Sequence, residues 1–444
     1  MLVRRRVVVT GLGLATPLGI EVEENWRKAM AGVSGIDRLT LPGAEKSAVQ
    51  AVGEVKAQDW QRICEVFPED ARNEGEKRNL FALWAAQSAL RDAGLINVDS
   101  PRDRCGLALA VGVGANRLED IERWTQPDGQ FDAIRFGREW PLIHRESILR
   151  NNSNRAAALL ARRFRLAGNN ITVTAACASA TQAIGLAFRA IRSGHADMMV
   201  AGGVDSMFNP VGMIFFVLLK VAAVSATGAD EIYCAFDRRR SGLVMAEGAA
   251  IAVLEEESHA RGRGATIYAE VAGYGSSMDA YRLTAPHPDG RGAEQAMRSA
   301  LNDAGLSIDE IDYINAHATA TKLNDITETL AVKNLFQERA YRVAISSSKS
   351  LIGHLLAASG APEFVYTVLS VQRDAIHPTI NLVHPDPKCD LDYVPKVSRM
   401  QTVRAALSNS FGFGGQNASI AVRKYAGEIN PLQKSATQQE SGIK

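Results

Sequence analysis

The sequence predicts a layered α/β fold built of two related halves. Two observations predict it. β-like runs alternate with helix-like runs along the chain, the pattern of parallel strands joined by helical crossovers. One octamer also recurs: "SALRDAGL" at 88–95 returns as "SALNDAGL" at 299–306, each copy closing a helix-like run that leads towards a strand, as an internal duplication would. With 444 residues the chain exceeds one small core, and the repeat divides it in two.

The elements follow in order. "RRVVVTG" (5–11) opens as a buried strand and not as a leader, because Gly-containing turns interrupt the apolar run and no small-residue exit site follows. "RCGLALAVGVG", "ITVTAAC", "ADMMVAGG" and "GAAIAVLEEE" supply the further strands of the first half. "ATIYAEVAGYG", "IDYINAHA", "YRVAISSSK", "AALSNSFGFGG" and "ASIAVRK" supply those of the second. The charged, Gly-rich link "ESHARGRGAT" (257–266) sets the boundary: a first half over 1–258, a second over 259–425, and a polar, aperiodic tail over 426–444 that is disordered or loosely packed. "VGMIFFVLLKVAAVSA" (211–226) has 16 residues with Lys220 inside, short of the roughly 20 that span a bilayer, and reads as a buried helix or an apolar wall.

Composition narrows the function. A formal charge of +1, from 50 Lys and Arg against 49 Asp and Glu, gives no global field to attract nucleic acid or an anionic membrane. The five cysteines are odd in number, scattered and without C-x-x-C spacing. That usage fits a reducing compartment, the cytoplasm.

Cys177 stands out, since it falls where "ITVTAA" hands over to the helix-like "ASATQAIGLAFRAIRSG". Unpaired amides at a helix N-terminus stabilise a thiolate, lower its pKa and make it a nucleophile. The alternative is a small buried cysteine on an Ala-rich packing surface. Two histidines, His317 in "NAHATAT" and His354 in "SSSKSLIGHLLAASG", lie at strand–helix junctions of the second half with Lys349 close by. Side chains at such junctions converge on a crevice, although either histidine alone could be structural. The Gly-rich stretches "VVVTGLGLATPLG" and "FGFGGQN" fail as nucleotide loops: Thr16 occupies the third glycine position of one, and the other has no Lys-Ser/Thr. Both read as tight turns that bring backbone amides to a reacting group.

Together these motifs resemble the β-ketoacyl-ACP synthases, above all the synthase II type. The likeness runs through "RRVVVTGLG", "TAACASATQAIG", "AGGVDS", "FDRRRSGLVMAEGAA", "NAHATAT", "SSSKSLIGHLLAASGAPE" and "LSNSFGFGGQNAS", over roughly residues 4–424. The resemblance implies a duplicated thiolase-like fold, layered α-β-α-β-α with mixed sheets. It implies that Cys177 accepts an acyl chain from the phosphopantetheine arm of acyl carrier protein. His317 and His354 would hold the malonyl thioester and promote loss of carbon dioxide. Lys349 would pair with Glu328 beside them. Phe413 would be an aromatic gate whose amide, with that of Cys177, forms an oxyanion hole, while Gly412 and Gly414 let the turn swing. Thr319 and Thr321 would bind the pantetheine arm, and Asp279 would sit in a second mobile loop. No metal and no cofactor of the chain's own is implied.

The departures concern specificity. Ala318 stands where the family commonly has glycine, and "WPLIHRESILRNNSNRAAALLARRFRLAGNN" (140–170), with Arg155, Arg162, Arg163 and Arg165, replaces a stretch that shapes the acyl pocket. The basic carrier-docking patch is reduced to Lys220, Lys77 and Arg78. The expected activity is decarboxylative condensation in fatty-acid elongation, with acyl carrier protein as partner and a homodimer, or a heterodimer with a related subunit, as the assembly. The alternatives are a ketosynthase of a specialised polyketide or aryl-polyene pathway, a non-decarboxylating thiolase relative, and a non-catalytic chain-length-factor-like subunit.

Overall fold

A computed structural model describes residues 5–40, 47–96, 102–114, 122–143, 152–224 and 232–427. The end of the apolar run at 225–226, part of the Arg-rich stretch (144–151) and all but the first two residues of the polar tail lie outside the described residues.

Among the described residues ten strands form one sheet. They are β1 (Val7–Ala15), β2 (Cys105–Val111), β3 (Asn170–Val173), β4 (Met198–Asp205), β5 (Gly248–Glu256), β6 (Ala269–Met278), β7 (Tyr313–Asn315), β8 (Ala344–Ser346), β9 (Ala405–Gly412) and β10 (Gln416–Arg423). Their spatial order is β8-β7-β9-β10-β6-β1-β5-β4-β2-β3. The two sets of five repeat one arrangement. β2 lies between β3 and β4, parallel to both, and β4, β5 and β1 follow antiparallel. β7 likewise lies between β8 and β9, parallel to both, with β9, β10 and β6 antiparallel. A short pairing of Val7–Val9 with Ala269–Val271 joins the sets.

Parallel pairing therefore holds for three strands of each half and not throughout. β9 and β10 are joined by the three-residue turn Phe413–Gly415, too short for a crossover, so they pair as a hairpin.

The duplication extends to the helices. Helix Lys77–Asp92, which carries the first octamer, covers β1, and helix Arg291–Ala304, which carries the second, covers β6. Each strand offers a Gly-x-Gly pair to its helix. A Cβ on Gly11 would stand 2.2 Å from the Ala89 carbonyl oxygen and one on Gly13 2.1 Å from that of Ala85. In the second half Gly273 would meet Ala300 O at 2.4 Å and Gly275 Ala296 O at 2.2 Å. The glycines of "VVVTGLG" therefore lie inside a strand, not in a turn, and admit a helix backbone at close range.

Between the two five-stranded sets run helices Ser179–Arg192 and Gly360–Arg373, in contact with each other and with strands of both. Both are buried along most of their length, Gly360–Val371 without interruption. The layers are thus helix, five strands, helix pair, five strands, helix: the duplicated α/β architecture the resemblance implied.

The apolar run after β4 forms helix Pro210–Leu218, with Met213 and Phe216 buried but Ile214, Phe215 and Leu218 exposed. It is a half-covered helix and not a buried one. Among the described residues no helix is long and apolar enough to cross a membrane.

Candidate active site

The matching crossovers of the two halves meet at one cavity of about 360 Å³. Its lining includes Cys177, His317, His354, Thr319, Thr321, Asp279, Gly412, Phe413 and Lys220.

Cys177 sits in the turn after β3, two residues before helix Ser179–Arg192 begins. Ala176, just before it, is left-handed at φ +47°, and the Ser179 hydroxyl ties the turn down, donating to Ala176 O at 2.6 Å and accepting from Ala175 N–H at 2.7 Å. The thiol is buried. Burial pushes its pKa up to about 11, against the opposing pull of the Lys349 charge and of the backbone amides of Phe413 and Cys177 itself. The expected acidic thiol is therefore not what the folded chain holds: desolvation outweighs the helix terminus.

His354 is held by its backbone, N–H to Val244 O at 2.8 Å and C=O from Ala246 N–H at 2.9 Å. Its Nδ1 accepts from Leu356 N–H at 2.9 Å, with the Ser359 hydroxyl at 2.7 Å. An amide can only donate, so Nδ1 carries the lone pair and Nε2 the hydrogen. That Nε2 is buried and has no partner among the described residues.

His317 follows β7, and its Nδ1 lies 3.1 Å from Lys349 Nζ, an ammonium that donates and cannot accept. The same tautomer results. Burial first, then Lys349, holds both imidazoles well below their ordinary pKa, so each is a neutral N–H donor. The rings stand 5.5 Å apart and almost perpendicular. Nitrogens of both and the Cys177 sulfur lie within 4.8 Å of one another. Three such groups could suit a metal, but a ligating imidazole donates its outer N–H to an acceptor. Here both outer nitrogens face donors, so the pair is set to donate hydrogen bonds into the cavity.

Lys349 is buried, and its ion pair is with Glu363, not with Glu328. Glu328 instead accepts from the N–H groups of His317 and Ala318, both at 2.8 Å. The reason is local. Glu328 lies on helix Lys322–Phe336, beneath the loop after β7, whose backbone it satisfies. Burial raises both acids to about 7. Ala318 and Ala320 in this loop are left-handed, at φ +37° and +58°, which costs roughly 1–2 kcal/mol for a residue with a Cβ. Glu328 and the Tyr233 hydroxyl, 2.7 Å from Ala318 O, hold the loop in place.

The β9–β10 turn closes the other side. A Cβ on Gly412 would stand 3.1 Å from the amide nitrogens of Cys177 and Ala178, so this position requires close approach. Gly414 is left-handed at φ +78° with open space around it. Its N–H donates to Leu283 O at 2.6 Å, and Asp279 N–H donates to Gly415 O at 2.9 Å, which joins this turn to the Asp279 loop. The Asp279 carboxylate accepts from Asn417 Nδ2 at 2.9 Å and His287 N–H at 3.1 Å. Thr319 and Thr321 approach each other at 3.0 Å between their hydroxyls.

The docking residues separate. Lys220 is exposed at the cavity rim. Lys77 is half-exposed and reaches buried Glu247 at 3.3 Å. Arg78 is buried, donating to Gly112 O at 3.1 Å, and offers nothing to a docking partner. Arg162, Arg163 and Arg165 lie on the surface, and Arg155 pairs with buried Glu74. None of the four lines the cavity.

Sequence reasoning missed Glu363 as the partner of Lys349. The signal was present: it is the only acid in "GAPEFVYTVLSVQR", a helix buried from Gly360 through Val371, and a buried charge requires a partner.

Comparison with known proteins gives the family. The profile of the β-ketoacyl synthase N-terminal domain matches residues 4–260 and that of the C-terminal domain residues 268–383. A 3-oxoacyl-[acyl-carrier-protein] synthase 2 of Synechocystis is 41% identical over 95% of this chain and 99% of its own. The Staphylococcus aureus protein of the same name is 36% identical over the same shares. Among solved structures, a type II polyketide acyl-carrier protein in complex with its ketosynthase bound to the hexaketide superposes with a TM-score of 0.86, 33% identity and coverage of 96% of this chain and 100% of that one. The ishigamide ketosynthase/chain length factor superposes at 0.82 with 32% identity, over 96% of this chain and 100% of that one. The chain belongs to the β-ketoacyl synthase family.

Proposed function

We propose that the protein is a β-ketoacyl-ACP synthase that elongates fatty acyl chains by decarboxylative condensation. The observation that carries this reading is the convergence of one thiol and two neutral imidazole N–H donors at one cavity, within 4.8 Å.

In the first step Cys177 attacks the acyl thioester carried by acyl carrier protein. The carbonyl oxygen turns towards the amides of Phe413 and Cys177, and the proton leaves with the pantetheine sulfur, so the exchange is proton-neutral. In the second step malonyl-ACP places its thioester carbonyl against the Nε2–H groups of His317 and His354. Their hydrogen bonds strengthen as the C–C bond to the carboxylate breaks and charge moves to the oxygen. Neutral donors suit this task, because they hold the oxyanion without being bound to give up a proton. The enolate carbon then attacks the acyl thioester on Cys177, and the sulfur leaves. One proton is consumed per turnover and ends on Cys177, whose raised pKa keeps it as a thiol. The balance needs no oxidant, metal or organic cofactor; the phosphopantetheine arm arrives on the substrate, with Thr319, Thr321 and the Asp279 loop along its path and Lys220 at the entrance. The names of the curated relatives and the carrier complex of the structural neighbour support acyl carrier protein as the partner.

β3 is an edge strand, paired only with β2 among the described residues. β8, the other edge, is fully buried, whereas β3 is partly exposed; an open edge is a ready pairing surface, and it supports a dimer across β3. Free cysteines at all five positions support the cytoplasm. The polyketide neighbours support a second reading, a ketosynthase of a polyketide-type line, and substrate separates the two. The test offers the purified protein acyl carrier proteins bearing saturated, unsaturated and β-keto chains and reads the Cys177 peptide by mass. Loading of medium and long saturated chains supports elongation; loading of β-keto or polyene chains alone overturns it.

A further inference from the structure

The turn that fixes the His354 tautomer is itself under strain. Leu356, whose N–H meets Nδ1, is left-handed at φ +53° without being glycine, a conformation that persists only where its surroundings enforce it. One enforcing contact comes from the other half of the molecule. Asp205, at the end of β4 and 1% exposed, accepts from Ala357 N–H at 3.0 Å through Oδ2 and from Ser206 N–H at 2.9 Å. Arg78 is set against Gly112; burial raises the Asp205 carboxyl to about 6, with the Ala357 amide and then the Arg78 charge opposing it. Space for the carboxyl exists because residue 112 is glycine: a Cβ there would stand 2.3 Å from Asp205 Oδ2.

We propose that Asp205, backed by Arg78, is a positioning residue for decarboxylation, holding the Leu356–Ala358 turn so that His354 presents Nε2–H to the substrate. If the turn relaxes, the Leu356 amide leaves Nδ1, the ring can carry its proton there, and Nε2 then offers a lone pair to a developing oxyanion. Among the described residues no hydrogen bond joins Cys177 to the Leu356–Ala358 turn, so acyl loading can be read apart from decarboxylation. Arg78 thus belongs to the catalytic support and not to the docking face where its sequence neighbourhood put it. The inference rests on His354 being a donor to the malonyl thioester.

The test separates two half-reactions. Carbon dioxide release from malonyl carrier protein is measured in a Cys177→Ala background, and acyl loading in chains that keep Cys177. Asp205→Ala is expected to lower carbon dioxide release at least about tenfold, the loss expected when a transition-state donor is misaligned, and to leave loading within about twofold. Asp205→Val keeps bulk but offers no acceptor to Ala357 N–H, and serves if the alanine variant does not fold. In ¹⁵N-histidine spectra the His354 Nδ1 signal should move from the unprotonated to the protonated range in either variant. Carbon dioxide release within twofold of the parent, or parallel loss of loading and release, overturns the inference. His354→Ala is the control. If it too releases carbon dioxide normally, the reading of His354 has failed and the inference with it; if only the Asp205 variants do, the inference alone has failed.

Discussion

In the first half the crossover from β3 into its central helix carries Cys177, whereas the equivalent crossover of the second half, from β8 into helix Gly360–Arg373, carries Lys349 and His354, and the end of β7 adds His317. The strand order and the Gly-x-Gly packing of the outer helices are the same in both. Duplication thus aims two sets of loops at one cavity, and in the proposed mechanism substitution within those loops divides the labour: a sulfur that takes the acyl chain on one side, two donors that break the malonyl carboxylate bond on the other. If so, each half can be disabled without the other.

The largest effect should come from Cys177→Ala, which removes the nucleophile. Acyl adducts disappear and condensation falls by about 10³-fold or more, while carbon dioxide release from malonyl carrier protein continues; intact mass and released carbonate report the two. Next, His317→Ala and His354→Ala should each lower decarboxylation about 10²–10³-fold, the usual cost of one lost oxyanion donor, with adducts on Cys177 still formed. Smaller in activity but large in stability is Glu363→Ala. It strands the buried Lys349 charge and should cost about 3–5 kcal/mol in denaturant unfolding, and removing both partners by Lys349→Met with Glu363→Leu should recover part of that loss.

The smallest effect is a slope. Burial raises the Glu328 carboxyl to about 7, above its unfolded value, so the folded chain holds this proton more tightly. Its ionisation therefore removes stability as pH rises from the unfolded pKa through about 7. Glu328→Gln cannot ionise, so its melting temperature relative to the parent should rise between pH 5 and pH 8. A constant difference across that range would mean the carboxyl is not strained by burial.

The sequence made the framework readable because it repeats: the octamers mark equivalent helices, and Cys177, His317 and His354 each stand in short runs of small residues at strand ends. Pairing was less readable. The sequence offers Lys349 two acids, Glu328 and Glu363, and only the packing of the central helix decides for Glu363. Nor could it show that the amide cradle of Cys177 is outweighed by burial, because burial depends on the β9–β10 turn 236 residues away in the chain at Phe413. The glycines of β1 were misread for a similar reason, since the helix that needs them comes some seventy residues later.

The division of labour is tested most directly by one paired assay on one preparation each of the parent, Cys177→Ala and the double variant His317→Ala/His354→Ala, scoring acyl adduct at Cys177 and carbon dioxide from malonyl carrier protein. The account predicts both in the parent, carbon dioxide without adduct in the cysteine variant, and adduct without carbon dioxide in the histidine variant. Carbon dioxide released at the parent rate without both histidines would contradict it.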